Sequence, residues 1–103
     1  MKPAVKRQWC KALRSGKYRQ AKGALVQGAE HQGHKKYCCL GVLRCLMPTN
    51  LQDKSQFNEG DMLHKTQLRW AGLSEKRQSE LAELNDESGY KFNKIAKYIQ
   101  ENL

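Results

Sequence analysis

Residues 37–47 read Tyr-Cys-Cys-Leu-Gly-Val-Leu-Arg-Cys-Leu-Met, a long run with almost no polar side chain. Wound as an α-helix, this run points large apolar side chains in every direction, and only Arg44 interrupts them. A helix that is apolar all round is normally buried on most sides, and a run of this length is too short to span a bilayer. The pattern therefore predicts a buried central helix at 37–47, which Pro48 closes.

Amphipathic segments on both sides of this run supply the helices that cover it. A first helix is predicted over Ala4–Arg14, because Val5, Trp9 and Leu13 recur at helical spacing on one face. Ser74 suits the N-cap of a later helix. The further predicted elements are a short helical turn at 68–73, a helix from Glu75 to Leu84 followed by a turn at 85–89, and a last helix from Lys91 to about Asn102.

Two short stretches before the central helix have some strand character. Residues 23–26 and 35–37 are predicted to pair as a β-hairpin at about 23–37, and an irregular loop is the open alternative. Residues 27–34 are rich in turn formers, and residues 51–61 are predicted to be a connecting loop anchored by Leu51 and Phe57. The predicted fold is a mainly α, small single domain spanning 1–103, with four to five helices around the central helix.

The positive charge of the chain is concentrated in its first half. Residues 1–50 contain eleven Lys or Arg and one acid, Glu30, whereas residues 51–103 contain eight Lys or Arg and nine acids. Within residues 1–22 there are eight basic side chains and no acid. This asymmetry indicates an anionic partner for the N-terminal half, such as nucleic acid, nucleotide phosphates or an acidic protein face. A solvated basic surface without a specific partner is the alternative.

A ligand site can be assigned to this basic segment. Three cations recur on the face of the first helix opposite Trp9. Further basic residues follow the helix in sequence, and an aromatic ring between them provides a stacking platform for a base. The Gln20 amide adds hydrogen-bond donors. The predicted ligand-binding residues are Arg7, Lys11, Arg14, Lys17, Tyr18, Arg19, Gln20 and Lys22.

The four cysteines raise the alternative of thiol or zinc chemistry. Cys10, Cys38, Cys39 and Cys45 are predicted to be reduced and structural, since three of them lie in the apolar run. Cys38 is the best candidate nucleophile, because Lys35 and Lys36 would lower its pKa and His34 could act as its base.

Metal binding and enzymatic activity are both disfavoured by the residue spacing. The series His31, His34, Cys38 has three possible zinc ligands, but no Cys-x-x-Cys pair accompanies it. No catalytic constellation is evident, so neither a catalytic residue, a metal ligand nor a cofactor is predicted, and the expectation is a non-enzymatic protein.

The start of the chain bears on where the protein works. Basic residues near Met1 lead into no apolar segment of the kind found in a secretory signal peptide. A cytoplasmic protein is therefore expected.

Several spaced motifs resemble a family of small proteins encoded by bacteriophages and prophages. They are Trp9-x-x-Ala12-Leu13-Arg14-Ser15-Gly16-x-Tyr18-x-Gln20, Gly23-x-Leu25, Tyr37-Cys38-Cys39-Leu40-Gly41-Val42-Leu43, Trp70-x-Gly72-Leu73, Leu84-Asn85-Asp86 and Phe92-x-x-Ile95-Ala96-x-x-Ile99. The family pattern tends to place a cysteine where this chain has Arg44, which disfavours a shared metal or redox role for that cysteine.

The resemblance implies a viral origin and, by analogy, a role against host defence in the cytoplasm of the host cell. The expected function is a counter-defence binding protein that holds a signal nucleotide or nucleic acid on its N-terminal basic face. One alternative is an inhibitor or adaptor that docks on an acidic host protein. The other is a thiol- or zinc-dependent enzyme that uses Cys38 and His34.

Overall fold

A computed structural model gives the structure of the chain and describes residues 1–28, 35–52 and 62–103. The described residues form a mainly α, small single domain with five α-helices and a three-stranded sheet of very short strands. The elements, in chain order, are α1 (Pro3–Arg14), β1 (Arg19–Gln20), β2 (Val26–Gln27), β3 (Lys36–Tyr37), α2 (Cys39–Cys45), a 3₁₀ turn (Thr49–Leu51), α3 (Lys65–Ala71), α4 (Glu75–Asp86) and α5 (Phe92–Asn102).

The central helix α2 is buried as predicted but begins later than predicted. Cys39 to Arg44 are all buried. Tyr37 belongs to β3 and not to the helix, and Cys38 is the N-cap residue, whose Sγ accepts a hydrogen bond from the Gly41 amide at 3.4 Å. A short polar or sulfur-bearing side chain at the N-cap satisfies an amide that has no partner within the helix.

The sheet confirms the predicted hairpin and adds a third strand. β2 pairs with β3 in antiparallel fashion, with Val26 opposite Tyr37, and β1 pairs with β3 in parallel, with Gln20 opposite Tyr37. A strand of two residues is too short to show the alternation of polar and apolar side chains by which strands are predicted from a sequence. The predicted turn at 27–34 and the loop at 51–61 fall largely on residues outside those described.

Trp9 and Asn85 hold the two helices that flank α2. The Trp9 side chain is fully buried, and its Nε1 donates a hydrogen bond to the Cys39 carbonyl oxygen at 2.9 Å. The Asn85 Oδ1 accepts from the Cys39 amide at 3.2 Å. Because α1 carries Trp9 and α4 carries Asn85, both helices are fixed to the first residue of α2.

Asn85 uses all of its hydrogen-bonding capacity inside the core. Its Oδ1 also accepts from the Gln20 Nε2 at 2.9 Å, and its Nδ2 donates to the Ala21 carbonyl and to the Asp86 Oδ1, both at 2.8 Å. The predicted end of this helix at Leu84 is therefore wrong, because α4 continues through Asn85 and Asp86. These residues anchor the end of β1 instead of forming a surface turn.

Replacement of Asn85 by alanine should destabilise the fold strongly. The change leaves the buried Cys39 amide and Ala21 carbonyl oxygen without their Asn85 partners and removes one hydrogen bond of Gln20. We therefore expect a loss of about 3 kcal/mol in the free energy of unfolding. Urea denaturation measures this loss. Asn102→Ala is the control, because Asn102 is exposed and donates a single hydrogen bond, and it should cost less than about 0.5 kcal/mol. Equal losses in the two variants would contradict the role of Asn85.

Gly41 sets the distance between α2 and the chain before β2. A Cβ atom at this position would lie 1.8 Å from the Leu25 carbonyl oxygen, far inside van der Waals contact. Leu25 is itself buried. Only a residue without a side chain therefore allows this approach.

Gly41→Ala should lower the free energy of unfolding by about 3 kcal/mol or more, because backbone atoms must move to admit the methyl group. Gly89→Ala serves as the control. Gly89 has a φ of 69°, but a methyl group added there would meet no atom within 4 Å, so its cost is limited to about 1 kcal/mol of backbone strain. Urea unfolding curves compare the two variants, and an equally small loss for Gly41→Ala would show that the close approach does not exist.

Candidate functional site

The exposed face of α1 lines a cationic cavity of about 410 Å³. Four basic side chains contribute to it, and Pro3, Cys10 and Gln100 complete the wall. We call this cavity the basic groove, and its cations are Lys6, Arg7, Lys11 and Arg14. Among the residues that the structure describes, no acidic side chain lines it.

The amphipathic sequence of α1 determines where these charges point. Val5, Trp9 and Leu13 are buried on the side that faces α2 and α5. Cys10 is also buried, and the exposed positions of the helix include the basic residues Arg7, Lys11 and Arg14. Lys11 and Arg14 lie in the last turn, where the partial negative charge of the helix C-terminus stabilises cations.

Arg14 is the one groove cation with a described hydrogen-bond partner. Its Nη2 donates to the Gln100 Oε1 of α5 at 2.8 Å. The partner is a neutral amide, so the positive charge of Arg14 is not compensated. Among the described residues the ion pairs Arg77–Glu80 and Lys97–Glu101 lie elsewhere.

Cys10 contributes a nearly buried thiol to the wall of the basic groove. It is 6% exposed, and its Sγ donates to the Ala96 carbonyl oxygen at 3.5 Å. Burial raises the pKa of the Cys10 thiol, and this effect outweighs the lowering by the nearby charges of Arg14 and Lys6. The thiol therefore stays protonated near neutral pH, and the charge of the groove is that of its cations.

A second cavity of about 290 Å³ lies next to the basic groove and shares Lys11 with it. We call it the Tyr18 cavity. The Tyr18 ring is half-buried and meets the Tyr37 ring edge-on, with 5.5 Å between centroids and 87° between planes. The described residues that line it are Gln8, Lys11, Ala12, Ser15, Lys17, Tyr18 and Leu46.

The two cavities bring together five of the eight predicted ligand-binding residues: Arg7, Lys11, Arg14, Lys17 and Tyr18. Arg19 and Lys22 are exposed but line neither cavity.

The structure gives Gln20 a structural role in place of the predicted one. Both hydrogens of its Nε2 are used internally, toward the Asn85 Oδ1 and the Tyr90 carbonyl oxygen at 2.7 Å. Its amide therefore has no N–H left to offer a ligand.

Sequence reasoning missed Lys6 and Gln100. Lys6, Cys10 and Arg14 are spaced four residues apart, and residues at this spacing lie on one side of a helix. This spacing could have predicted that Lys6 lies on the same side of α1 as Arg14. Gln100 had no comparable signal, because its position depends on how α5 packs against α1.

The family of the chain is shown by comparison with known proteins. A family model described as Domain of unknown function (DUF8296) matches residues 1–73. The chain belongs to this family. The searches of curated proteins and of solved structures give no significant match. The DUF8296 segment includes every residue of the two cavities except Gln100.

Cys38 is a free, buried cysteine, as its prediction as a structural residue of the apolar run requires, and the alternative of a reactive thiol is disfavoured. Cys38 is 4% exposed, and burial raises its pKa to about 11, whereas neighbouring backbone amides and Arg44 lower it less. Lys35 and Lys36 were expected to lower this pKa, but the net shift is upward because burial has the largest effect. The proposed base His34 lies outside the described residues, as does His31.

Two further features bear on metal and membrane chemistry. Within residues 1–28, 35–52 and 62–103, no group of three or more His, Cys, Asp and Glu side chains is arranged to hold a metal ion. In the same described segments, no helix combines the length and apolar character needed to cross a membrane.

Thiol labelling tests the burial of the cysteines. With a pKa of about 11, roughly one Cys38 thiol in a thousand is ionised at about pH 8, because the thiolate fraction falls tenfold per pH unit. We expect Cys45, which is half-buried, to react with a thiol reagent well before Cys38 and Cys39. Peptide mass spectrometry resolves the sites, and the chain in denaturant provides the reference for full labelling. Labelling of Cys38 as fast as Cys45 in the native protein would restore the thiol hypothesis.

Proposed function

We propose that this DUF8296 protein is a non-enzymatic binding protein that holds a phosphate-bearing ligand, nucleic acid or nucleotide, on the exposed face of α1. The observation that carries the proposal is the basic groove, in which Lys6, Arg7, Lys11 and Arg14 line one cavity with no acidic side chain from the described part of the chain. A cavity of about 410 Å³ has the size of ordinary ligand pockets.

The electrostatics of the groove favour an anion with several charges. Lys6 and Arg14 are separated by eight residues, or about 12 Å along the helix axis, so four cations lie within little more than a Debye length of one another. Their mutual repulsion is relieved when phosphate oxygens bind between them. Arginine forks bind phosphate oxygens in pairs, and lysines add point charges.

Docking on an acidic host protein is the weaker alternative. Stable protein interfaces usually have a core of aromatic or large apolar side chains that become fully desolvated. Within residues 1–28, 35–52 and 62–103, no aromatic residue lines the basic groove, and the apolar residues that do so are Pro3 and Cys10. Phosphate groups need no apolar anchor, so the groove suits them better. The enzymatic alternative loses its nucleophile because Cys38 is buried.

The biological setting of the proposal comes from the resemblance to bacteriophage and prophage proteins. In that setting the protein acts in the host cytoplasm against host defence. Sequestration of a signal nucleotide or occlusion of a nucleic acid requires binding without turnover, and the uncharged thiol and four cations of the basic groove support binding of this kind.

Salt-dependent binding tests the proposal. The probe is a fluorescein-labelled single-stranded DNA of about twelve nucleotides, and anisotropy measures its Kd at several salt concentrations. We expect Kd to rise steeply with salt because phosphate contacts release counterions. Lys11→Ala should weaken binding about fivefold, or about 1 kcal/mol, and should lower the slope of log K against log salt by about 0.7.

Lys76→Ala is the matched control. Lys76 is an exposed lysine of α4, so its loss changes the net charge by the same amount at a position away from the groove. An equal effect of the two variants would mean that total charge, and not the basic groove, binds the DNA. Absence of binding at low salt would overturn the proposal and leave the docking alternative.

A further inference from the structure

The Tyr18 cavity differs in chemistry from the basic groove beside it. Its wall is mainly apolar and includes Ala12, the Tyr18 ring and Leu46. Lys11 lines both cavities, so a ligand bound to Lys11 can reach into each of them. A row of cations next to an aromatic, apolar recess matches a nucleotide chain, which has anionic phosphates joined to flat apolar-faced bases.

We propose that the Tyr18 cavity holds an unpaired base of a single-stranded oligonucleotide whose phosphates lie in the basic groove. This inference rests on the proposed function and deepens it, because it names the ligand class. The inference requires more than charge attraction, since a polyanion without bases would occupy the basic groove and leave the Tyr18 cavity empty.

Tyr18 is held in place before any ligand arrives. Its ring packs edge-on against Tyr37 in β3, and the residue follows α1 directly through the turn at Gly16, whose φ is 74°. A fixed aromatic ring loses little conformational entropy when a base packs on it. The Lys17 Nζ lies over the ring, 5.8 Å from its centroid, so a positive charge is available for a phosphate next to the bound base.

The size and continuity of the site favour a single strand over the other phosphate ligands. The cations from Lys6 to Arg14 extend over about 12 Å of helix, which is more than one phosphate group occupies. In a duplex the bases are stacked and paired, so none can enter a side cavity without being flipped out. A short single strand can place phosphates along α1 and turn one base toward Tyr18.

The experiment compares four probes of known chemistry by anisotropy and competition. They are a single-stranded thymidine oligonucleotide of about twelve residues, an abasic oligonucleotide of equal length and charge, the corresponding duplex, and thymidine triphosphate. We expect the base-containing single strand to bind about tenfold more tightly than the abasic strand, since one base–aromatic contact is of this size. The duplex and the triphosphate should also bind more weakly than the single strand.

Two variants remove the base contact in different ways. Tyr18→Ala deletes the ring, and Ala12→Leu fills the cavity while leaving the Tyr18–Tyr37 contact in place. Both should remove the difference between the base-containing and abasic strands, and Tyr18→Phe should preserve it. Thermal denaturation checks the fold, and if Tyr18→Ala does not fold, Ala12→Leu decides the question.

The outcomes separate this inference from the proposed function. Equal binding of the base-containing and abasic strands would overturn the role of the Tyr18 cavity and leave phosphate binding intact. Preference for the duplex or the triphosphate would also overturn it. Failure of all four probes to bind would overturn the proposed function itself.

Discussion

The backbone of Cys39 is the point on which the fold depends. Its amide donates to the Asn85 Oδ1 and its carbonyl oxygen accepts from the Trp9 Nε1. Both partners are fully buried, where a hydrogen bond that is lost cannot be replaced by water. The first residue of α2 thus fixes α4 on one side and α1 on the other. Asn85 extends the same network to β1 through Gln20 and Ala21.

The position of the basic groove follows from this anchoring. Trp9 fixes the rotation of α1 about its own axis, because the indole must reach the Cys39 carbonyl. Once that side of the helix is buried, Arg7, Lys11 and Arg14 are directed outward. The same helix therefore contributes to the core and presents the charges. A change at Trp9 would disturb both the core and the orientation of the groove cations, whereas a change at Lys11 affects the exposed side alone.

Helical periodicity made the main α architecture predictable from the sequence. The stripes of α1 and α5, the apolar run of α2 and the N-cap at Ser74 all gave elements close to the observed ones. The end of α4 was not predictable, because Asn and Asp favour turns in isolation and only tertiary partners make Asn85 helical and buried. The burial of Cys38 was predictable, because the residue lies in the apolar run, and this burial raises its pKa.

The candidate site was predictable to the extent that it lies on one helix. Spacing alone grouped Arg7, Lys11 and Arg14, and the structure lines them along one cavity. Three other features depend on contacts between elements far apart in sequence, which a local sequence pattern does not predict. They are the contribution of Gln100, the internal hydrogen bonds of Gln20 and the proximity of Tyr18 to Tyr37.

The most direct test of the proposed binding site is a backbone amide NMR titration of the full chain with a short single-stranded oligonucleotide. We expect chemical-shift changes to concentrate in residues 6–18 and at Gln100, with little change in α3 and α4. Changes centred on α3 or α4, or no changes at saturating oligonucleotide, would contradict the claim that the exposed face of α1 is the binding site.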